Sequence, residues 1–74
     1  MSHKMYTISS MWISTGAGND QNLNSIIVAE SEAAAILEHT QYGDKKWPNY
    51  LHNTSKLVCT DISFRARAFV EQYG

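Results

Sequence analysis

One short stretch changes from strand-favouring to helix-favouring residues within ten positions, and it restricts the fold more than any other part of this chain. Residues 25–29 contain three consecutive β-branched side chains, which are typical of a central strand. Ser31 follows as a helix N-cap, because its hydroxyl can accept a hydrogen bond from an unpaired backbone N–H. Glu32 then lies in the first turn, where the helix dipole favours an anion, and residues 33–35 are alanines of high helix propensity. The joint predicts a fold that contains both sheet and helix.

The predicted helix has a stripe of residues that can face a sheet. Ala33, Ile36, Leu37 and Thr40 recur at the i, i+3, i+4 and i+7 spacing of one helix face. Gly43 comes shortly after the last of them and predicts the end of the helix.

The first strand is predicted over residues 6–14, where apolar and polar side chains alternate. The apolar residues change face midway, the first two lying on one face of a regular strand and the last two on the other: Tyr6, Ile8, Met11 and Ile13. A bulge near positions 9–10 would return all four to one face. The alternative is a regular strand that is apolar on both faces.

The rest of the chain supplies two irregular segments and two more elements. Residues 15–24 and 44–55 are polar connections, and residues 56–60 resemble a third strand. Residues 62–73 are compatible with a helix or a fourth strand, and their alanines favour the helix.

This order predicts one α+β domain over residues 1–74. We expect a three- or four-stranded antiparallel sheet with one or two helices packed on one face (β-β-α-β-α) and the other face at least partly open. The expected core consists of Ile8, Ile13, Ile26, Val28, Ile36, Leu37, Val58 and Phe69.

The charge balance and the single cysteine restrict the class of protein. Six Lys and Arg residues against seven Asp and Glu residues argue against a general polyanion binder and against an acidic mimic of nucleic acid. Cys59 is the only cysteine, which excludes a disulfide within the chain and fits a reducing compartment. No apolar run approaches the ~18 to 20 residues that cross a bilayer. We therefore expect a soluble, cytoplasmic protein without a membrane partner, and a homodimer, because so small a domain has no other staple.

Catalytic and metal-binding patterns are weak. His3, His39, His52 and Cys59 include no closely spaced pair of metal ligands, so we expect neither a metal nor a cofactor. Cys59 with either of the last two histidines could form a thiolate pair, but its apolar strand favours a structural cysteine. These residues indicate a protein that is not an enzyme.

The most suggestive segment combines basic and aromatic residues over positions 44–52. Its candidate binding residues are Lys45, Lys46, Trp47, Tyr50 and His52, with Arg65 and Arg67 as an extension if the C-terminal region runs close. Such a loop can anchor a protein interface, stack nucleic-acid bases, or cap the end of a small core. Pro48 holds the residue before it away from helical geometry and stiffens the loop.

Residues 27–35, Ile-Val-Ala-Glu-Ser-Glu-Ala-Ala-Ala, resemble the strand–helix joint of very small phage and mobile-element proteins, including anti-CRISPR proteins of the type I inhibitor group. The resemblance implies a non-enzymatic inhibitor that occludes a surface of a host nucleoprotein complex, and it assigns no functional residue. We therefore expect a protein-binding module. The alternative is a nucleic-acid-binding accessory protein that uses the loop at 44–52.

Overall fold

The computed structural model describes residues 3–63, which form a three-stranded antiparallel sheet with one helix on one face. The elements are β1 (Lys4–Ser14), β2 (Gln21–Ala29), α1 (Glu32–Lys46) and β3 (Tyr50–Asp61), and the strand order is β2-β1-β3. This confirms the α+β class. Beyond position 63, the expected helix or fourth strand lies outside the described residues, and so do Phe69, Arg65 and Arg67.

β1 is the central strand, and its alternation is regular. Tyr6, Ile8, Ser10 and Trp12 are all buried, and they share the face that α1 covers. The strand is therefore apolar on both faces, and the bulge expected in β1 near positions 9–10 is wrong.

The irregularity of the sheet lies in β3 instead. Ser9 pairs with Val58, whereas Met11 pairs with Asn53, so residues 54–57 stand opposite a single residue of β1. The side chain of Asn53 supports this bulge, because its Oδ1 accepts the backbone N–H of Ser55 at 3.1 Å. β3 is paired with β1 on both sides of the bulge.

The third strand expected over residues 56–60 is longer than predicted, and the irregular segment expected over 44–55 is wrong. The first residues of the segment complete α1, and the strand begins at Tyr50. The polar side chains at the start of β3 hide this strand in the sequence. The strand forms nevertheless, because β1 and β3 hydrogen-bond through backbone groups.

The N-cap of α1 is as predicted, but the buried face is not. Ser31 Oγ accepts the backbone N–H of Ala34 at 3.1 Å. The buried helix residues are Ala35, His39 and Gly43, at i, i+4 and i+8, and Gly43 lies inside the helix rather than at its end. Because residues 33–35 are all alanines, the first turns of α1 look equally apolar on several faces, and the sequence did not show which face is buried. The buried face is the one that contacts β1.

Gly43 marks where α1 approaches the sheet most closely. A Cβ built on Gly43 would lie 2.6 Å from Cε2 of Trp12, and closer still to two other atoms of the indole. Only a residue without a side chain lets the helix rest on this ring.

The expected core was partly wrong. Ile8 is confirmed at 1% exposure and Ile36 is half-buried, but five expected core residues are exposed: Ile13, Ile26, Val28, Leu37 and Val58. The four strand residues among these five point away from α1. The apolar residues that are buried are Tyr6, Ile8, Trp12, Leu23, Ala29 and Ala35.

Candidate protein-binding surface

Trp12 organises the interior at one end of the helix-covered face. Its ring is fully buried and stacks on His52, with centroids 3.9 Å apart and planes 11° apart. Its Nε1 donates to Oδ1 of Asp44 at 2.9 Å, and Trp47 packs beside it at a centroid distance of 5.7 Å. Two of the predicted binding residues, His52 and Trp47, therefore contribute to the packing around Trp12.

A chain of hydrogen bonds crosses the interior beside this tryptophan. Ser25 Oγ lies 2.8 Å from Nδ1 of His39, whose Nε2 lies 2.6 Å from Oγ of Ser10. The same oxygen of Ser10 lies 2.7 Å from Nε2 of His52. Ser10 can donate to either imidazole while it accepts from the other, so two proton arrangements satisfy every member of the chain.

Burial favours the neutral form of both histidines. Desolvation lowers the pKa of His39, and the neighbouring His52 lowers it further. Desolvation also lowers the pKa of His52, against the opposing effect of Asp44. Neutral imidazoles provide both the donor and the acceptor that the hydrogen-bonded chain requires.

The Ser10–histidine contacts have the residue types of a nucleophile and its base, but not the access. Ser10 is 3% exposed and His39 is fully buried, so no substrate reaches the hydroxyl in this arrangement. The chain of hydrogen bonds satisfies polar groups inside the core instead. Sequence reasoning missed Ser10 and Ser25. The available signal was the alternation of the strands, which places both serines on the sheet face that α1 covers, where they meet His39.

The remaining predicted binding residues lie near the same end of the fold. Lys45 and Lys46 are exposed in the last turn of α1, and Nζ of Lys46 lies 5.2 Å from the ring centroid of Trp47. Tyr50 is half-buried at the start of β3, 6.4 Å from Trp47. The structure thus brings the predicted residues of positions 45–52 together, and their role as a contact surface stays a prediction.

The sheet face opposite α1 presents most of the exposed aliphatic side chains. Ile26 is 71% exposed, Val58 60% and Leu51 65%. We call this the outer face, defined by the outward-pointing paired positions of the three strands: Met5, Thr7, Ser9, Met11 and Ile13 of β1, Asn22, Asn24, Ile26 and Val28 of β2, and Leu51, Asn53, Val58 and Thr60 of β3. None of these positions has a charged side chain. Depletion of charge is what distinguishes the buried part of protein interfaces from ordinary surface.

A shallow groove of about 440 Å³ runs along the outer face. Ile26 and Val58 flank it on the two edge strands, and Thr7 and Ser9 of the central strand line it between them. The small central side chains create the depression, and the larger flanking ones make its walls apolar. Such a depression can receive a large apolar side chain.

Cys59 is half-buried in β3, on the side of the sheet that faces α1. Burial raises the pKa of its thiol, and the carboxylates of Glu32 and Asp61 raise it further. Residues 3–63 include no hydrogen bond from this thiol to a histidine, and no cluster of three or more side chains suited to hold a metal ion. In the same part of the chain, no helix is long and apolar enough to cross a membrane.

Comparison with known proteins gives no relative for this chain: no family model, curated protein or solved structure matches it.

Proposed function

We propose that this chain is a small non-enzymatic module that binds another protein through the outer face. The observation that supports it best is the exposure of aliphatic side chains on a sheet face whose paired positions are free of charge. Single apolar residues are normal on a surface, but seven of the thirteen outward paired positions on this one face are apolar, and exposed apolar patches mark interaction sites. The resemblance at residues 27–35 suggests an inhibitor that acts by steric occlusion of a nucleoprotein complex.

The partner that fits this face is an amphipathic helix. Three strands spaced about 4.8 Å apart give a strip roughly 10 to 15 Å wide, which matches the 10 to 12 Å diameter of a helix with its side chains. The groove between Ile26 and Val58 would receive one large apolar side chain of that helix. A bound helix would complete a layer on the open side of the sheet, as α1 does on the other side.

The test compares two variants with the same charge change at equal exposure. Val58 on the outer face is 60% exposed and Leu37 on the solvent side of α1 is 59% exposed. We expect Val58→Lys to lose partners that the wild type and Leu37→Lys both capture from nuclease-treated lysate. Titration of the identified partner should then show at least about a tenfold weaker affinity for Val58→Lys, as expected when a charge enters an apolar contact.

Two results would contradict this proposal. Equal binding by Val58→Lys and Leu37→Lys would show that the outer face is not the contact surface. A large drop in the melting temperature of Val58→Lys alone would show that another part of the chain already covers this face.

The same capture experiment examines the nucleic-acid alternative. Loss of all binding after nuclease treatment, together with loss on Lys45→Gln/Lys46→Gln, would favour a nucleic-acid contact at positions 44–52. The half-buried position of Trp47 against Trp12 leaves less of its ring free to stack on a base, so we favour the protein partner.

A further inference from the structure

We propose that a second copy of this chain pairs with the edge of β2 that no described strand covers, so that two sheets join antiparallel around a two-fold axis near Leu23. This surface uses the strand edge and the side of α1, and it meets the outer face of the proposed function only at β2, where Asn24 and Ile26 line both grooves.

The first observation is the composition of the edge. The strand order leaves one side of β2 without a strand neighbour among the described residues. Natural edge strands are protected by charges, prolines or bulges, because their unpaired backbone groups invite another strand. β2 contains no charged residue, no proline and no bulge over its nine residues. β3, the opposite edge strand, contains both the bulge at residues 54–57 and the charged Lys56.

The second observation is a self-complementary stripe on α1. Glu38, Tyr42 and Lys46, spaced at i, i+4 and i+8, line one wall of a groove of about 470 Å³ whose other wall is β2. A two-fold axis through the middle of this stripe makes the two helices antiparallel. It places Glu38 opposite the partner's Lys46, Lys46 opposite the partner's Glu38, and the two Tyr42 rings beside each other. A closed two-fold interface requires this kind of reciprocity.

The helix and the strand place the axis at the same level. His39 bonds to Ser25 of β2 and to Ser10 of β1, and Ser10 pairs with Leu23 of β2. His39 therefore stands level with Asn24, which lies between Leu23 and Ser25 along β2. Tyr42 is three residues further along α1, about 4.5 Å or between one and two strand residues. The centre of the stripe therefore lies level with Leu23. An axis at Leu23 pairs residues 21–25 of the two strands over an ordinary strand length.

The spacing between the helices also fits the stripe. α1 rests on β1 through Gly43 and His39, and β1 of one copy would lie three strand spacings from β1 of the other. Three spacings of about 4.8 Å put the helix axes roughly 14 Å apart, beyond direct backbone packing but within reach of long side chains. Tyrosine, glutamate and lysine are suited to such a gap, and Tyr42 is 56% exposed towards solvent in the single chain.

Charge reversal tests this arrangement in the full chain. Glu38→Lys or Lys46→Glu replaces two attractive contacts across the axis by two repulsive ones, so each should raise the dimer Kd at least about tenfold by sedimentation equilibrium. The double variant Glu38→Lys/Lys46→Glu restores both pairs in reverse and should return the Kd to within about threefold of the wild type. Lys56→Glu makes the same charge change as Lys46→Glu but lies on the opposite edge strand, away from α1 and β2, and it should leave the Kd unchanged.

A wild-type chain that stays monomeric at about 100 µM, far above a micromolar Kd, overturns the proposal. So does a dimer that Lys46→Glu and Lys56→Glu weaken equally, or one that the double variant does not restore. Val58→Lys alters the outer face alone, so a loss of partner binding and a loss of dimerisation can be told apart.

Discussion

Replacing Gly43 by alanine improves the helix propensity of α1 but disturbs its packing, and these two effects change the free energy of unfolding in opposite directions. Inside a helix, alanine is more favourable than glycine by about 1 kcal/mol, so propensity alone expects a more stable protein. The structure expects the reverse, because the new Cβ would lie 2.6 Å from Cε2 of Trp12, where carbon atoms normally stay about 3.5 to 4.0 Å apart.

The size of the effect follows from how Trp12 is held. Its Nε1 bonds to Asp44 at 2.9 Å and its ring stacks on His52 at 3.9 Å, so neither the ring nor the helix can move by an ångström without losing contacts. Overpacking a core costs about 1 to 3 kcal/mol, and leaving a buried donor unpaired costs about 1 to 3 kcal/mol more. After the gain in propensity of about 1 kcal/mol, we expect Gly43→Ala to lower the free energy of unfolding by about 1 to 5 kcal/mol.

Urea denaturation followed by tryptophan fluorescence measures this difference. Gln41 is exposed in the same helix, so the difference between Gln41→Ala and Gln41→Gly gives the propensity difference without packing, about 1 kcal/mol. Gly16→Ala adds a methyl group where nothing lies within 4 Å, and its stability should change little. A Gly43→Ala protein as stable as the wild type, or more so, would refute the close contact between α1 and the indole.

Three further predictions follow from the same interior. Leu37→Ala should change the free energy of unfolding by less than about 0.5 kcal/mol because Leu37 is 59% exposed, whereas Ile8→Ala should cost about 2 to 5 kcal/mol; equal costs in urea denaturation would contradict the assigned faces. Trp47→Ala should cost about 2 kcal/mol, roughly half the value for a fully buried tryptophan, and an unchanged melting temperature would show that this ring does not cap the core. Because the folded chain lowers the pKa of His39 and His52 below 6.5, the unfolded chain binds more protons just below that pH. Stability should therefore be fully present above pH 6.5 and fall as the pH decreases, by at most about 1.4 kcal/mol per pH unit for each histidine, and a flat unfolding free energy between pH 7 and 5 would contradict this.

Local chemistry was enough to predict the strand–helix joint. Ser31 caps α1 through its own hydroxyl, a contact between near neighbours that depends on nothing else in the fold. Propensity and alternation likewise located β1 and placed Tyr6 and Ile8 on one face. These features can be predicted from the sequence because the residues that cause them lie within a few positions of each other in the chain.

The burial of each face could not be predicted in the same way. Ile26 and Val28 are typical core residues, but their positions in β2 point them away from α1. The sequence contains apolar residues on both faces of the sheet, and the helix covers one of them through contacts such as those of Gly43 with Trp12 and of His39 with Ser10. These contacts join residues far apart in the chain, so no local pattern reports them.

The bulge in β3 also sets a counting rule for the evolution and redesign of this chain. Residues 54–57 stand opposite one residue of β1, an excess of three, so the side chains facing α1 are odd-numbered after the bulge and even-numbered before it. Cys59 and His52 can therefore share one face although seven positions separate them. Removing two residues from the bulge preserves this odd–even relation, whereas removing one would turn His52 out of its stack with Trp12. We therefore expect length changes at this site to be tolerated in steps of two residues.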